Sequence, residues 1–220
     1  MPGKPTLRDR IDQSFDYAES LCGPIPDYLL EIERQTHLKT LAPQMMCGRL
    51  QGRLLAMLSA LQKPRRILEI GTFTGYATLC LAEGLPPTGS LDTIEGNAEV
   101  AYLARQHFAL SPYESRIELH TGQAAELLPT LTGPYDIIFL DGDKRGYPNY
   151  FSELMRLLAP GGLLLTDNVL WDGKLGTKFP DPAISALQEY NSLVADDERL
   201  SVVVLPVRDG LSVARRRNRT

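Results

Sequence analysis

Asp141, Asp167 and Asn168 are the residues of this sequence best suited to hold a hard cation. Asp141 closes the apolar run Tyr135-Asp-Ile-Ile-Phe-Leu140, and Asp167-Asn168 follows Gly162-Leu-Leu-Leu-Thr166. Oxygen ligands from two neighbouring strand ends, completed by water and an acceptor, suit Mg²⁺, or another divalent ion such as Ca²⁺ or Mn²⁺. No histidine or cysteine accompanies them, which argues against zinc. The plainer alternative is an Asp-Asn pair that caps a turn. Lys144 follows Asp141 by three residues. Lysine ordinarily stays at the surface. An amine facing a bound cation, however, holds its proton less tightly and can accept one from a hydroxyl.

A second group surrounds a glycine turn. Gly71-Thr-Phe-Thr-Gly75 follows the apolar run that ends in Glu69-Ile70. A dinucleotide site needs G-x-G-x-x-G so that a pyrophosphate can approach bare backbone. Phe73 stands where the second glycine belongs, so a nicotinamide dehydrogenase is disfavoured and a ligand without a pyrophosphate fits better. Glu95 lies 24 residues after Gly71, a suitable separation for a carboxylate accepting ribose hydroxyls. Together these point to S-adenosylmethionine. A glycine that merely turns the chain is the simpler competing explanation.

These residues need a scaffold, and the hydrophobic pattern supplies one. Short apolar runs at 66–70, 91–95, 116–120, 135–141 and 162–167 read as strands. Helix-length segments at 76–83, 98–110, 124–131 and 147–158 separate them. Such alternation predicts a parallel sheet covered on both faces, with ligands beyond the carboxyl ends of the strands. A further helix at 183–194 precedes strands at 200–205 and 211–215, joined around Arg208-Asp209-Gly210 as an antiparallel hairpin. Upstream, helices are predicted over 7–21 and 27–37, with a third carrying Leu50, Leu54, Leu58 and Leu61 and ending before Lys63-Pro64. The expected organisation is a single domain, with 1–43 as a helical extension and 44–220 as the binding and catalytic core.

Composition narrows the classes. The sequence has 220 residues, 43% of them hydrophobic and 23% charged, as in ordinary globular proteins. A net charge of -4 gives no basic footprint for bulk nucleic-acid binding. Arg215, Arg216, Arg217 and Arg219 form the one basic cluster, read as a solvated tail. Cys22, Cys47 and Cys80 are scattered thiols, suggesting a reducing, cytoplasmic setting. The polar start is not expected to be a signal peptide, and no apolar run is long enough for a membrane helix. His37, His107 and His120 are expected to be structural or surface residues.

The runs Leu68-Glu-Ile-Gly-Thr-Phe-Thr-Gly-Tyr76, Phe139-Leu-Asp-Gly-Asp-Lys144 and Thr166-Asp-Asn-Val-Leu-Trp171-Asp-Gly173 resemble the catechol and caffeoyl-coenzyme A O-methyltransferase family. Leu50-Gln-Gly-Arg53, Leu79-Cys-Leu-Ala-Glu-Gly-Leu85 and Leu205-Pro-Val-Arg-Asp-Gly-Leu211 extend the likeness toward its bacterial branch. The resemblance implies a class I S-adenosylmethionine-dependent enzyme with a Rossmann-like, doubly wound, mostly parallel seven-stranded α/β sheet. It implies metal ligation by Asp141, Asp167 and Asn168 and a catalytic role for Lys144 with Asp141. Its cofactor positions fall on Met45, Cys47, Glu69, Gly71, Thr72, Ala77, Glu95, Ala124, Asp141 and Asp143. Ala77 stands where the family commonly has a serine, so one side-chain hydrogen bond to the cofactor carboxylate is expected to be missing. The implied acceptor is a small hydroxylated aromatic, catechol-like or hydroxycinnamoyl-type, and the implied assembly is a homodimer. Two alternatives stay open: methylation of a hydroxylated uridine in tRNA, and a non-catalytic cofactor-binding module. Trp171 and Tyr147 are both candidates to face the aromatic ring, and the segment 172–182 to form a lid.

Overall fold

The central apolar runs become strands because they are buried on both faces, whereas the edge runs Ile117–Thr121 and Leu200–Leu205 stay partly exposed. In the computed structural model, which describes residues 6–175 and 181–218, the strands are β1 (Arg66–Ile70), β2 (Ser90–Glu95), β3 (Ile117–Thr121), β4 (Tyr135–Leu140), β5 (Leu158–Thr166), β6 (Leu200–Leu205) and β7 (Leu211–Arg216). They form one seven-stranded sheet in the order β3-β2-β1-β4-β5-β7-β6. β1 to β5 pair in parallel, and β7 pairs antiparallel with both β5 and β6.

Successive strand residues serve opposite cores. Ile67, Ile137, Phe139 and Leu165 pack with α2 (Asp27–Lys39), α3 (Gly48–Gln62), α4 (Tyr76–Ala82) and α5 (Ala98–Phe108). Leu68, Ile138, Leu140 and Leu164 pack on the other face with α7 (Tyr147–Leu157) and α8 (Pro182–Asp196). Each fully buried aliphatic side chain contributes about 1.5–3 kcal/mol to holding these layers. α1 (Leu7–Ser20) lies at the outer end of the chain. α2, by contrast, is part of the core: Leu29 and Ile32 are buried in it, and Thr36 donates to Thr74 at 2.8 Å. The helical extension is thereby tied to the turn after β1.

Three element boundaries differ from expectation. The helix expected over 124–131 stops as the single turn α6 (Ala124–Leu127), followed by the 3-10 turn Leu128–Thr130. Pro129 lacks the amide that another helical turn requires. β5 starts at Leu158, which pairs with Tyr135 before the register shifts between Tyr135 and Ile137. The hairpin connection spans 206–210 and is longer than a bare Asp-Gly turn; Leu205 and Leu211 form its last pair. No helix of the described residues is long and apolar enough to cross a membrane.

Candidate active site

Main-chain hydrogen bonds carry the sheet one residue beyond its strands and so place the polar residues. Gly71 N donates to Ile94 O at 2.9 Å, Asp141 N to Ile70 O at 2.8 Å, and Asp167 N to Leu140 O at 3.0 Å. The carboxyl ends of β1, β2, β4 and β5 therefore open into one cavity of about 1090 Å³. It sits where the strand order reverses between β1 and β4, the usual ligand position in such sheets. Gly71 is required there. Its φ is +101°, and a Cβ would lie 2.2 Å from the main-chain oxygen of Asp141.

Met45, Gly71, Glu95, Ala124, Asp141 and Asp143 all line this cavity, as do Lys144, Asp167 and Asn168. Glu95 is held by two amides: Phe73 N donates to one carboxylate oxygen at 2.8 Å and Asn97 N to the other at 2.9 Å. Each oxygen keeps a second lone pair for a ligand hydroxyl. Asp141 accepts from Lys144 Nζ at 2.6 Å. Burial pushes the Asp141 carboxyl up to about 6; Lys144 pulls it down, and the Asp167 charge pushes it further up. Asp167 is buried and accepts from the Asn168 amide at 2.8 Å. Asn168 adopts φ +60°, a conformation asparagine tolerates better than most residues. Its Nδ2 lies 3.4 Å from Asp209 Oδ2, leaving the amide oxygen as the end able to ligate a cation.

Backbone strain gathers around the same cavity. Phe73, Asn168, Trp171 and Arg208 all have positive φ and all line it. Lys63, which caps α3, is the remaining non-glycine residue with positive φ among those described. Such clustering is typical of sites where the surrounding fold over-determines the backbone.

Four expected cofactor residues stand behind the wall instead of on it. Cys47, Glu69, Thr72 and Ala77 are buried and do not line the cavity. Burial pushes the Cys47 thiol well up, so it is no ready nucleophile. Thr72 and Thr93 share a hydroxyl hydrogen bond of 2.6 Å. Glu69 Oε2 accepts from Thr78 and from Thr93, while its Oε1 has no partner among the described residues. Burial raises the Glu69 carboxyl to about 8 against the opposing effect of those two hydroxyls. The pair of candidate aromatics also separates. Trp171 lines the cavity. Tyr147 is fully buried, with its ring edge-on to Tyr190 at 5.3 Å and its hydroxyl donating to Leu140 O at 3.3 Å. Tyr147 is therefore a core residue, not a ring-facing one. The middle of the expected lid, 176–180, lies outside the described residues.

The cavity also exposes what sequence reasoning passed over. Lys39, Leu41, Gln44, Arg208 and Asp209 line it. The charged pair inside a hairpin connection was the available signal for Arg208 and Asp209, because such turns need no charges of their own. His37 is exposed, His107 is buried against Thr74 O at 2.7 Å, and His120 contacts Asp92 at 3.0 Å; none lines the cavity. Asp92, Glu118 and His120 bring potential ligand atoms within 4.8 Å of one another. The Asp92 oxygens are already engaged by Arg66 at 3.1 Å, Tyr135 at 2.9 Å and His120, which makes this a hydrogen-bonded network within the sheet. Arg216, read as part of a solvated tail, points inward and donates to Met155 O at 2.9 Å and to Leu158 O.

Comparison with known proteins agrees with this geometry. Residues 20–217 match the family model described as O-methyltransferase. A catechol O-methyltransferase of Niastella koreensis is 32% identical, covering 94% of this chain and 99% of that one. Caffeoyl-CoA O-methyltransferase 2 of Populus trichocarpa is 33% identical over 76% of this chain and 72% of that one. Among solved structures, the O-methyltransferase TomG of Streptomyces achromogenes, involved in tomaymycin synthesis and solved in complex with SAM, superposes with a TM-score of 0.89 at 30% identity, covering 97% of this chain and 100% of that one. An O-methyltransferase from Bacillus cereus in complex with SAH gives 0.87 at 30% identity, covering 93% and 97%. With the polar strand ends converging on one cavity and likeness running along nearly its whole length, the chain belongs to the S-adenosylmethionine-dependent O-methyltransferase family.

Proposed function

We propose that the enzyme transfers the methyl group of S-adenosylmethionine to one hydroxyl of a vicinal pair on a small catechol-like or hydroxycinnamoyl-type aromatic, with a divalent cation, Mg²⁺ by preference, held by Asp141, Asp167 and Asn168. The observation that carries the reading is the juxtaposition of two carboxylates at adjacent strand ends, Asp167 buried and Asp141 half-buried, with the Lys144 amine 2.6 Å from Asp141. Burial first, and the neighbouring Asp167 charge as a lesser cause, push the Asp141 carboxyl up, so a cation placed between the two carboxylates would be favoured. An all-oxygen donor set of this kind fits a hard cation. Bound there, the cation would supply Lewis acidity to the acceptor oxygens.

The remaining steps belong to the protein's own residues. Glu95, oriented by the Phe73 and Asn97 amides, accepts the ribose hydroxyls. Met45 and Ala124 offer apolar contact to the cofactor, and Gly71 lets it approach bare backbone. Trp171 and the exposed Leu41 flank the aromatic acceptor. Lys144 accepts the acceptor proton, which converts a poor phenol nucleophile into a phenolate. Holding the oxygen in line with the methyl carbon and sulfur supplies the rest of the acceleration by orientation. A homodimer remains part of this proposal by analogy with the family.

The test is transfer of labelled methyl to a panel of catechols, hydroxycinnamoyl thioesters and tRNA, with Mg²⁺ or with chelator. Transfer to a vicinal diol, lost on chelation and restored by Mg²⁺, is expected. Undiminished transfer in metal-free protein would end the metal proposal, and preference for tRNA would end the acceptor proposal. The inward-pointing Arg216 gives tRNA one cation fewer than the sequence suggested.

A further inference from the structure

The 206–210 connection carries Arg208 and Asp209 onto the cavity wall, and no step above uses them. Arg208 has φ +51°, unusual for a residue with a long side chain. Its guanidinium reaches across to the segment before α3: Nη1 donates to Met46 O at 2.6 Å and Nη2 to Gln44 O at 3.1 Å. Gln44 and Met45 are cavity-wall residues on the 3-10 turn Pro43–Met45. A planar guanidinium fork can hold two carbonyls in fixed relation, which a single ammonium cannot.

The same loop grips the opposite wall. Leu170 N donates to Asp209 O at 2.7 Å and Val169 N to Gly210 O at 3.1 Å, while Asn168 Nδ2 lies 3.4 Å from Asp209 Oδ2. A Cβ on Gly210 would stand 2.4 Å from Leu170 Cγ, so the loop and the 168–170 turn are packed in direct contact. One short connection therefore joins the 44–46 wall to the turn that presents Asp167 and Asn168.

We propose that Arg208 is a positioning residue for methyl transfer: by clamping Gln44 and Met46 to the 206–210 loop, it sets the separation of the two cavity walls and thus the register of the acceptor hydroxyl against the methyl donor. In-line transfer is sensitive to such spacing; a displacement of ~1 Å can cost ~10²-fold in rate. The kinetic part rests on the vicinal-diol reading given above, and the test keeps the two apart.

Arg208→Ala and Arg208→Lys are compared with wild type in three measurements. Amide hydrogen exchange over 44–46 is followed in the protein without acceptor. Turnover and KM for S-adenosylmethionine are measured with a dihydroxybenzoate whose vicinal hydroxyls are inequivalent. The ratio of the two methylated isomers is read from the same reaction. In Arg208→Ala, exchange over 44–46 rises at least about tenfold, kcat falls about ten- to a hundredfold with KM changing less than about threefold, and the isomer ratio moves toward equality. Arg208→Lys recovers part of each, since an ammonium keeps the charge and the donors but not the reach or the fixed planar fork. Unchanged exchange over 44–46, or an isomer ratio identical to wild type, overturns the proposal. Should Arg208→Ala not fold, Arg208→Lys decides by the same criteria. If wild-type protein leaves the diol unmethylated, the acceptor reading falls and the exchange measurement alone decides the role of Arg208.

Discussion

At the scale of single residues, burial controls the chemistry of the carboxylates. Glu69 illustrates the sign of the effect. Its folded pKa of about 8 lies above the ordinary 4.5, so the folded protein holds this proton more tightly than the unfolded chain does. The stability this confers is complete below the unfolded value and is lost as pH rises through the folded one. Glu69→Gln, which mimics the neutral acid, should flatten the decline of melting temperature between those two pH values and exceed wild type above the upper one. Parallel melting curves for the two proteins would exclude this account. Lys144 and Asp141 act on the reaction. Lys144→Ala should lower kcat about 10²–10⁴-fold, the usual worth of a general base, while leaving the circular dichroism and cofactor affinity near wild type. Asp141→Ala should abolish most turnover with the fold retained. Wild-type rates in either purified variant would remove the role assigned to that residue.

Among the elements, the strand ends and their turns are the parts that tolerate least. The first turn works because Gly71 lets β1 pass close to the end of β4. In Gly71→Ala the new methyl carbon would meet Asp141 O at 2.2 Å from a backbone at φ +101°. Both the clash and the strain act, so a loss of at least about 2 kcal/mol is expected. A urea midpoint shifted down at constant m-value would report it, and an unshifted midpoint would refute it. The helices read from periodicity were located well where no proline intervened. α6 is short because Pro129 interrupts it, although the apolar pattern runs on to Leu131. β5 gained residues at its start because pairing to Tyr135 is a property of the neighbouring strand, which local periodicity cannot register.

For the molecule as a whole, ligand binding and folding are coupled. A cofactor that binds the folded chain alone stabilises it by about 2.7 kcal/mol at a hundredfold excess over Kd. For a chain of this length that corresponds to a rise of roughly 5–10 °C in Tm. S-adenosylmethionine should produce such a shift in thermal denaturation, and Glu95→Ala should abolish most of it; equal shifts in both proteins would argue against the ribose contact. The large-scale arrangement also gives the N-terminal helices their meaning, since α2 contributes Leu29 and Ile32 to the core and the segment after it supplies cavity wall. α2 thus shares one hydrophobic core with the sheet.

Local sequence was sufficient for the alternation of strands and helices and for the chemical identity of the strand-end residues. Both depend on short-range information: apolar runs bounded by turn residues, and side chains whose donor sets are their own. Tertiary packing alone decided which of those side chains reach the cavity. Glu69 precedes the glycine turn and Thr72 lies within it, yet their side chains bond to Thr78 and Thr93 behind it. Tyr147 follows Lys144 closely, yet the phase of α7 turns it onto Tyr190. Arg208 meets Met46 across 162 residues of chain, a contact that no local pattern encodes. Such contacts exist only once the helices have settled onto the sheet, because the direction of a side chain follows from the rotation of its element against its neighbours.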